Sequence, residues 1–110
     1  MSIRPGDIAV VEFAGAWETK RRPVVVVSSA RYHQHRPDII VGVLTSRVDA
    51  ATAPTDYVLK DWAEAGLTKP SAFRAFLNTY PSTAARIVGH LTARDWQEIQ
   101  ARLCEALAIR

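Results

Sequence analysis

Apolar residues come in short bursts along most of the chain and settle into a helical rhythm only near its end. Over residues 7–13, Ile8, Val10 and Glu12 alternate with Ala9, Val11 and Phe13, which predicts a strand buried on both sides. A Gly-bearing loop is expected over residues 14–22. Residues 23–29 (Pro-Val-Val-Val-Val-Ser-Ser) form a β-branched run too short for a helix, with the proline at a first strand position, where a missing donor is tolerated. After a polar stretch at 30–37, Asp38–Thr45 repeats the pattern and is expected to pair with the previous run. Gly42 within it marks a bulge or a close backbone approach. Shorter strands are expected at 55–60, 71–77 and 86–91.

The period then changes. Thr92-Ala93-Arg94-Asp95 fits a helix N-terminal capping signal, and Trp96, Ile99, Leu103 and Leu107 (or Ala106) recur at spacings of three and four. An amphipathic helix covering one face of a sheet follows. Short strands with one terminal helix predict a strongly bent antiparallel β barrel or sandwich with helical cover. A length of 110 residues favours a single domain over 1–110. The only cysteine, Cys104, falls among the apolar positions of the helix and reads as a small core residue.

Composition adds little: 48% hydrophobic and 23% charged residues describe an ordinary globular domain. No apolar run is long enough to cross a membrane as a helix, and the first residues lack the apolar core of a signal peptide, so a cytoplasmic protein with no membrane partner is expected. Charge says more by position. Residues 20–36 carry Lys20, Arg21, Arg22, Arg31 and Arg36 with no acid, against a whole-chain excess of +3. Such a segment is either a solvated loop or a patch that attracts a phosphate backbone.

Gly-rich phosphate loops, nucleophile elbows and paired C-x-x-C motifs are absent from the sequence. His33-Gln34-His35 has metal-like spacing, but no third ligand is close except Asp38, so a polar or RNA-facing loop is the preferred reading and no metal or other cofactor is expected. Arg22 stands at the mouth of one aliphatic strand and Thr45-Ser46 at the end of the next. If those strands are antiparallel neighbours, Arg22 and Thr45 share a rim of the sheet. A guanidinium and a hydroxyl converging there suit a phosphate.

The order of these blocks, Arg4-Pro5-Gly6-Asp7-Ile8, Lys20-Arg21-Arg22-Pro23 before an aliphatic strand, Ile40 to Thr45-Ser46, and Lys69-Pro70-Ser71, resembles the MazF/PemK family of toxin endoribonucleases. The resemblance implies an SH3-like antiparallel barrel, mainly β with a C-terminal helix. It also implies sequence-specific, metal-independent cleavage of single-stranded RNA, a homodimer, and a cognate antitoxin that fills the RNA channel. Carried over residue by residue, it points to Arg22 and Thr45 as catalytic. Some members add an arginine and, two residues later, an aspartate; Arg74 matches the arginine, while Phe76 stands where the acid would be. Glu18 corresponds loosely to an acid that some relatives carry in the preceding loop.

Metal-free RNA cleavage makes the ribose 2′-hydroxyl attack its own phosphate, which needs a base, charge stabilisation and an acid. Arg22 suits stabilisation, Thr45 donation to a non-bridging oxygen, and Arg74 a second cation, with Glu18, His33 and His35 as base or acid candidates. Lys20, Arg21, Arg31, Ser46, His33 and His35 are further candidate RNA contacts, and Trp17 offers a stacking face for an unpaired base. Two alternatives remain. One is a non-catalytic toxin of CcdB type acting on gyrase, against which the ending Leu107-Ala108-Ile109-Arg110 counts, since it lacks the Trp-Gly-Ile of that family. The other is an inactive relative that keeps the barrel for protein binding.

Overall fold

The computed structural model describes residues 2–14 and 17–109, and of residues 13 and 14 the backbone alone. Six strands form a single sheet: β1 (Asp7–Ala14), β2 (Thr19–Val26), β3 (Asp38–Thr45), β4 (Tyr57–Val58), β5 (Ala72–Pro81) and β6 (Arg86–His90). Their spatial order is β4-β5-β3-β2-β1-β6, and every neighbouring pair is antiparallel. Helix α1 (Ala30–His35) lies between β2 and β3, and helix α2 (Ala93–Ala106) follows β6. The architecture is the expected one, a mainly β half-barrel with a C-terminal helix.

Both sides of the sheet are buried, as alternation within β1 predicts. Ile8, Val25, Leu44 and Phe73 pack with Tyr57, Leu59, Leu91 and Ile99, the last supplied by α2. Ala9, Val11, Val24, Val26, Ile39 and Val41 form the second cluster, with Ile3, Tyr80, Ala85 and Ile87 against it. One helix covers only one side, so the curl of the sheet itself, aided by the segments bearing Ile3 and Ala85, has to cover the other. Each fully buried Val or Ile contributes roughly 1.5–3 kcal/mol. Gly42 meets both readings of its place in β3. A Cβ there would collide with the Phe73 ring, and the β3–β5 register shifts between Gly42 and Val43.

Several boundaries differ from expectation. β2 begins at Thr19, so Lys20, Arg21 and Arg22 pair with Phe13, Glu12 and Val11 instead of forming a loop. The Gly15-Ala16 part of that expected loop lies outside the described residues. Pro23 is therefore interior to β2, tolerated because the β2–β3 ladder starts one residue later, at Val24. Residues 30–35 are helical, because the Ser29 hydroxyl caps them by accepting from the Tyr32 amide at 3.1 Å. The expected strand over 55–60 shrinks to Tyr57–Val58. Cys104 is exposed, not core: it borders an apolar groove with Leu103, Leu107 and Ile109. Leu107 lies past the end of α2 and is half exposed.

The segment from Leu59 to Ser71 is irregular yet pinned. Leu59 N–H donates to the Ser71 carbonyl at 3.0 Å. Asp95 in α2 is fully buried and accepts from the Tyr57 hydroxyl (2.5 Å), the Lys60 amide (3.1 Å) and the Asp61 amide (2.8 Å). Thr92 caps α2 as expected, but the Asp95 carboxylate serves this loop instead of closing the cap. Gly66 has φ of +96°, and a Cβ at Gly89 would fall on the Ala65 carbonyl, so only glycines let the loop lie this close to β6.

Asp61 receives two hydrogen bonds from Arg94 (2.8 and 2.7 Å) and one from Thr92 (2.7 Å). The Arg94 guanidinium first, then the Thr92 hydroxyl, hold the Asp61 carboxyl down at about 2 from an ordinary 3.8. A carboxylate depressed on folding stabilises the fold above its unfolded pKa and loses that contribution as pH falls through the folded one. Thermal unfolding from pH 6 to 2 is expected to show a drop concentrated between about 4 and 2, and Arg94→Gln should flatten it. An equal drop in the variant would refute the assignment.

Candidate active site

Antiparallel pairing decides where the sequence-predicted residues meet. Val26 faces Val41 and Val24 faces Val43, where the ladder ends; counted on by two residues in each strand, the same register would bring Arg22 level with Thr45. On the other side of β3, Thr45 faces Ala72 and Val43 faces Arg74. Arg22, Thr45 and Arg74 thus lie on three adjacent strands at one end of the sheet and, by alternation, on one face of it. The Thr45 hydroxyl accepts from the Arg47 amide at 3.1 Å, which fixes its rotamer and leaves its proton to donate.

Arg74 is held without being satisfied. Its guanidinium stacks 4.5 Å over the Phe76 ring, and its Nε faces Asp56 Oδ1 at 3.8 Å, too far for a hydrogen bond. Among the described residues, this Nε is the buried side-chain polar atom left without a hydrogen-bond partner. Such an atom costs roughly 1–3 kcal/mol unless a ligand or water meets it. The β3–β5 register passes from Leu77 to Arg74, so Ala75 and Phe76 form a bulge. Position 76 therefore projects outward, and the carboxylate beside Arg74 comes from Asp56, just before β4. Spacing along β5 gave no hint of Asp56, because the contact is made across the sheet edge.

A cavity of about 190 Å³ opens at the same strand ends, with Arg21, Arg22, Ser46, Thr68, Lys69 and Ser71 in its wall. Arg21 alternates along β2 to the opposite face from Arg22, yet both line this cavity, so the strand ends form a ridge that the cavity shares with the rim. Arg4, Lys20, Arg36, Arg74, Arg94 and Arg102 each sit beside a carboxylate. Arg21, Arg22 and Lys69 have none within ion-pair distance among the described residues, although Glu12 lies opposite Arg21 in register. Three uncompensated cations on one rim raise the local positive potential there. Lys69 and Thr68 have no site role in the sequence reading; the one cue to them is that Lys69-Pro70-Ser71 is among the blocks of the family resemblance.

The remaining predicted contacts scatter. Lys20 and Glu18 pair at 3.9 Å beside the β1–β2 connection, and Trp17 is 97% exposed there, so it packs against no core. Arg31, His33 and His35 lie on α1, at the far end of β2 and β3. The basic run 20–36 is thus divided by the second half of β2, roughly 13 Å of strand from Arg22 to Val26. His33 is spoken for: its Nδ1 donates to the Ile3 carbonyl at 3.2 Å, and its Nε2 lies in hydrogen-bond contact with the Ser28 hydroxyl at 2.6 Å. A larger cavity of about 630 Å³ at that end is lined by His33, Arg36 and Asp38. Its charges are internally matched, Asp38 accepting from Tyr32 at 2.6 Å and pairing with Arg36 at 3.7 Å. Among the described residues, no three His, Cys, Asp or Glu side chains are grouped to hold a metal ion.

Residues 4–107 match the sequence pattern of the PemK-like, MazF-like toxins of type II toxin-antitoxin systems. The chain belongs to that family. No curated protein matches it in sequence. Its fold is similar to that of MazF in a MazE-MazF crystal structure from Deinococcus radiodurans (TM-score 0.78, 20% identity, 98% of each chain covered). A mycobacterial endoribonuclease in complex with its cognate antitoxin is similar as well (TM-score 0.77, 18% identity, 99% of this chain and 98% of that one). So is the Mycobacterium tuberculosis toxin MazF-mt6 (TM-score 0.74, 20% identity, 94% and 98% covered). At these identities the likeness carries the toxin fold alone.

Proposed function

We infer that this toxin-family chain is a metal-independent endoribonuclease that cuts single-stranded RNA at the rim bearing Arg22 and Thr45. The observation that carries the reading is the placement at one strand end of Arg22, which has no acid partner, and Thr45, with the unpartnered Nε of Arg74 two register positions from Thr45. In the reaction the 2′-hydroxyl loses its proton and attacks the adjacent phosphorus, and the bond to the 5′ oxygen breaks as that oxygen gains a proton. Arg22 supplies bidentate charge to the pentacoordinate phosphate, and Thr45 donates to a non-bridging oxygen. Arg74 adds a second cation oriented by Asp56 and Phe76. Glu18 and Asp56 are carboxylates on the segments flanking the rim, whereas His33 and His35 sit at the opposite end.

The similar structures include toxins bound to antitoxins. By extension this chain is taken to act as a homodimer and to be neutralised by a cognate antitoxin. The test is to incubate the protein with mixed-sequence RNA in the presence of a chelator and to sequence and characterise the ends. Cuts at a short recurring sequence, leaving a 2′,3′-cyclic phosphate or its 3′-phosphate product and a 5′-hydroxyl, are expected. Intact RNA would favour the inactive relative or the non-catalytic toxin, and loss of cutting with chelator would overturn the metal-free step.

A further inference from the structure

We propose that the 190 Å³ cavity on the other side of the ridge is a second phosphate subsite, in which Lys69 and Arg21 hold the RNA linkage next to the one that is cut. This rests on the endoribonuclease reading and adds a recognition role for Lys69.

The cavity is smaller than the roughly 300–1,000 Å³ of sites that enclose whole small molecules, so it suits a single charged group. Its polar wall is all donor-capable: two arginines, a lysine and three hydroxyl residues, with no carboxylate in it. Lys69 is placed firmly. The following Pro70 confines its backbone to extended conformations, and its carbonyl accepts from the Ser71 hydroxyl at 3.0 Å. The same strand-to-loop junction is tied by the Leu59–Ser71 hydrogen bond. Lys69 itself is exposed and has no ion-pair partner among the described residues. Arg22 borders both the cavity and, through its register with Thr45, the cleavage rim. A polyanion lying across the ridge therefore meets Arg22 and Thr45 with one phosphate and Lys69 with Arg21 at a neighbour.

The probe is a single-stranded oligoribonucleotide that contains the cut sequence, fully 2′-O-methylated so that it binds without reacting. Lys69→Gln is expected to weaken binding about 5- to 10-fold at low salt and to reduce the slope of log K against log[salt] by about 0.7, one phosphate contact to a single strand. Arg21→Gln should do the same. With the reactive RNA, kcat should stay within about twofold while KM rises, because neither residue touches the scissile phosphate. Replacing linkages one at a time by neutral methylphosphonates should reveal one position, adjacent to the cut, at which the Lys69→Gln effect vanishes. An unchanged salt slope, a loss confined to kcat, or an effect that persists on every methylphosphonate probe would overturn the subsite. If the parental protein cuts no RNA yet binds a mixed-sequence 2′-O-methylated strand with this Lys69-dependent slope, a phosphate contact at Lys69 stands while its place beside a cut and the nuclease reading fall. If it cuts with dependence on Arg22 but not Lys69, the reverse holds.

Discussion

Replacing Arg22 by alanine is expected to slow RNA cleavage roughly 100- to 1000-fold, the loss seen when one preorganised donor is removed from a developing oxyanion. The Arg22 side chain is exposed, so the fold should survive, and an unchanged melting temperature would show that it has. Lysine at this position keeps the charge but not the fork and should recover only part of the rate. Thr45→Ala should be milder, and it also removes the acceptor for the Arg47 amide, whereas Thr45→Ser keeps both donor and acceptor and should stay near the parental rate. A substrate with deoxyribose at the cut position should bind and not react at all, since the nucleophile is missing. Single-turnover rates on these variants and substrates provide the check. An Arg22→Ala protein cutting at the parental rate, or cleavage of the deoxy substrate, would remove Arg22 or the 2′-hydroxyl from the mechanism.

The largest stability loss is expected at Asp95. Truncation to alanine strands the Tyr57 hydroxyl and the amides of Lys60 and Asp61, three donors that now converge on a fully buried carboxylate. Stranded buried donors cost roughly 1–3 kcal/mol each, partly offset by no longer burying a charge and by water reaching Lys60. A net loss of about 2–4 kcal/mol, or roughly 10–20 °C in melting temperature, follows for a domain of this size. Asp95→Asn keeps an acceptor for Tyr57 and Lys60 and should lose less. Calorimetry on the two variants distinguishes a hydrogen-bond hub, in which Asp95→Asn still shows a loss because the Asp61 amide has no acceptor, from a residue that merely fills space, for which the isosteric asparagine would cost nothing.

What was legible in the sequence is what local periodicity and arithmetic register control. Asp38–Thr45 is a strand end to end, Thr92 opens the last helix, and Gly42 sits where Phe73 presses on the backbone. Arg22 and Thr45 could be paired on paper because antiparallel register needs only a count of residues. Features fixed by tertiary contact were not legible. Lys20 to Arg22 look like loop until β1 supplies a partner, and a six-residue helix capped by Ser29 has no room for an apolar rhythm. Cys104 shares a helix with core residues but faces an uncovered groove. Asp56 and Lys69 reach the rim from irregular segments whose course depends on Asp95 and on the glycine contact at Gly89, dozens of residues away.

The bond between Asp95 and the Lys60–Asp61 amides also sets an order of events during translation. The ribosome delivers all six strands, with the Arg22–Thr45 rim among them, before it reaches α2. Until then Tyr57, Lys60 and Asp61 lack their common acceptor, and the segment that carries Lys69 has lost its main anchor. A growing chain therefore carries its cations before the segment beside them is anchored, and the cavity around Lys69 takes its final shape only once the helix is made.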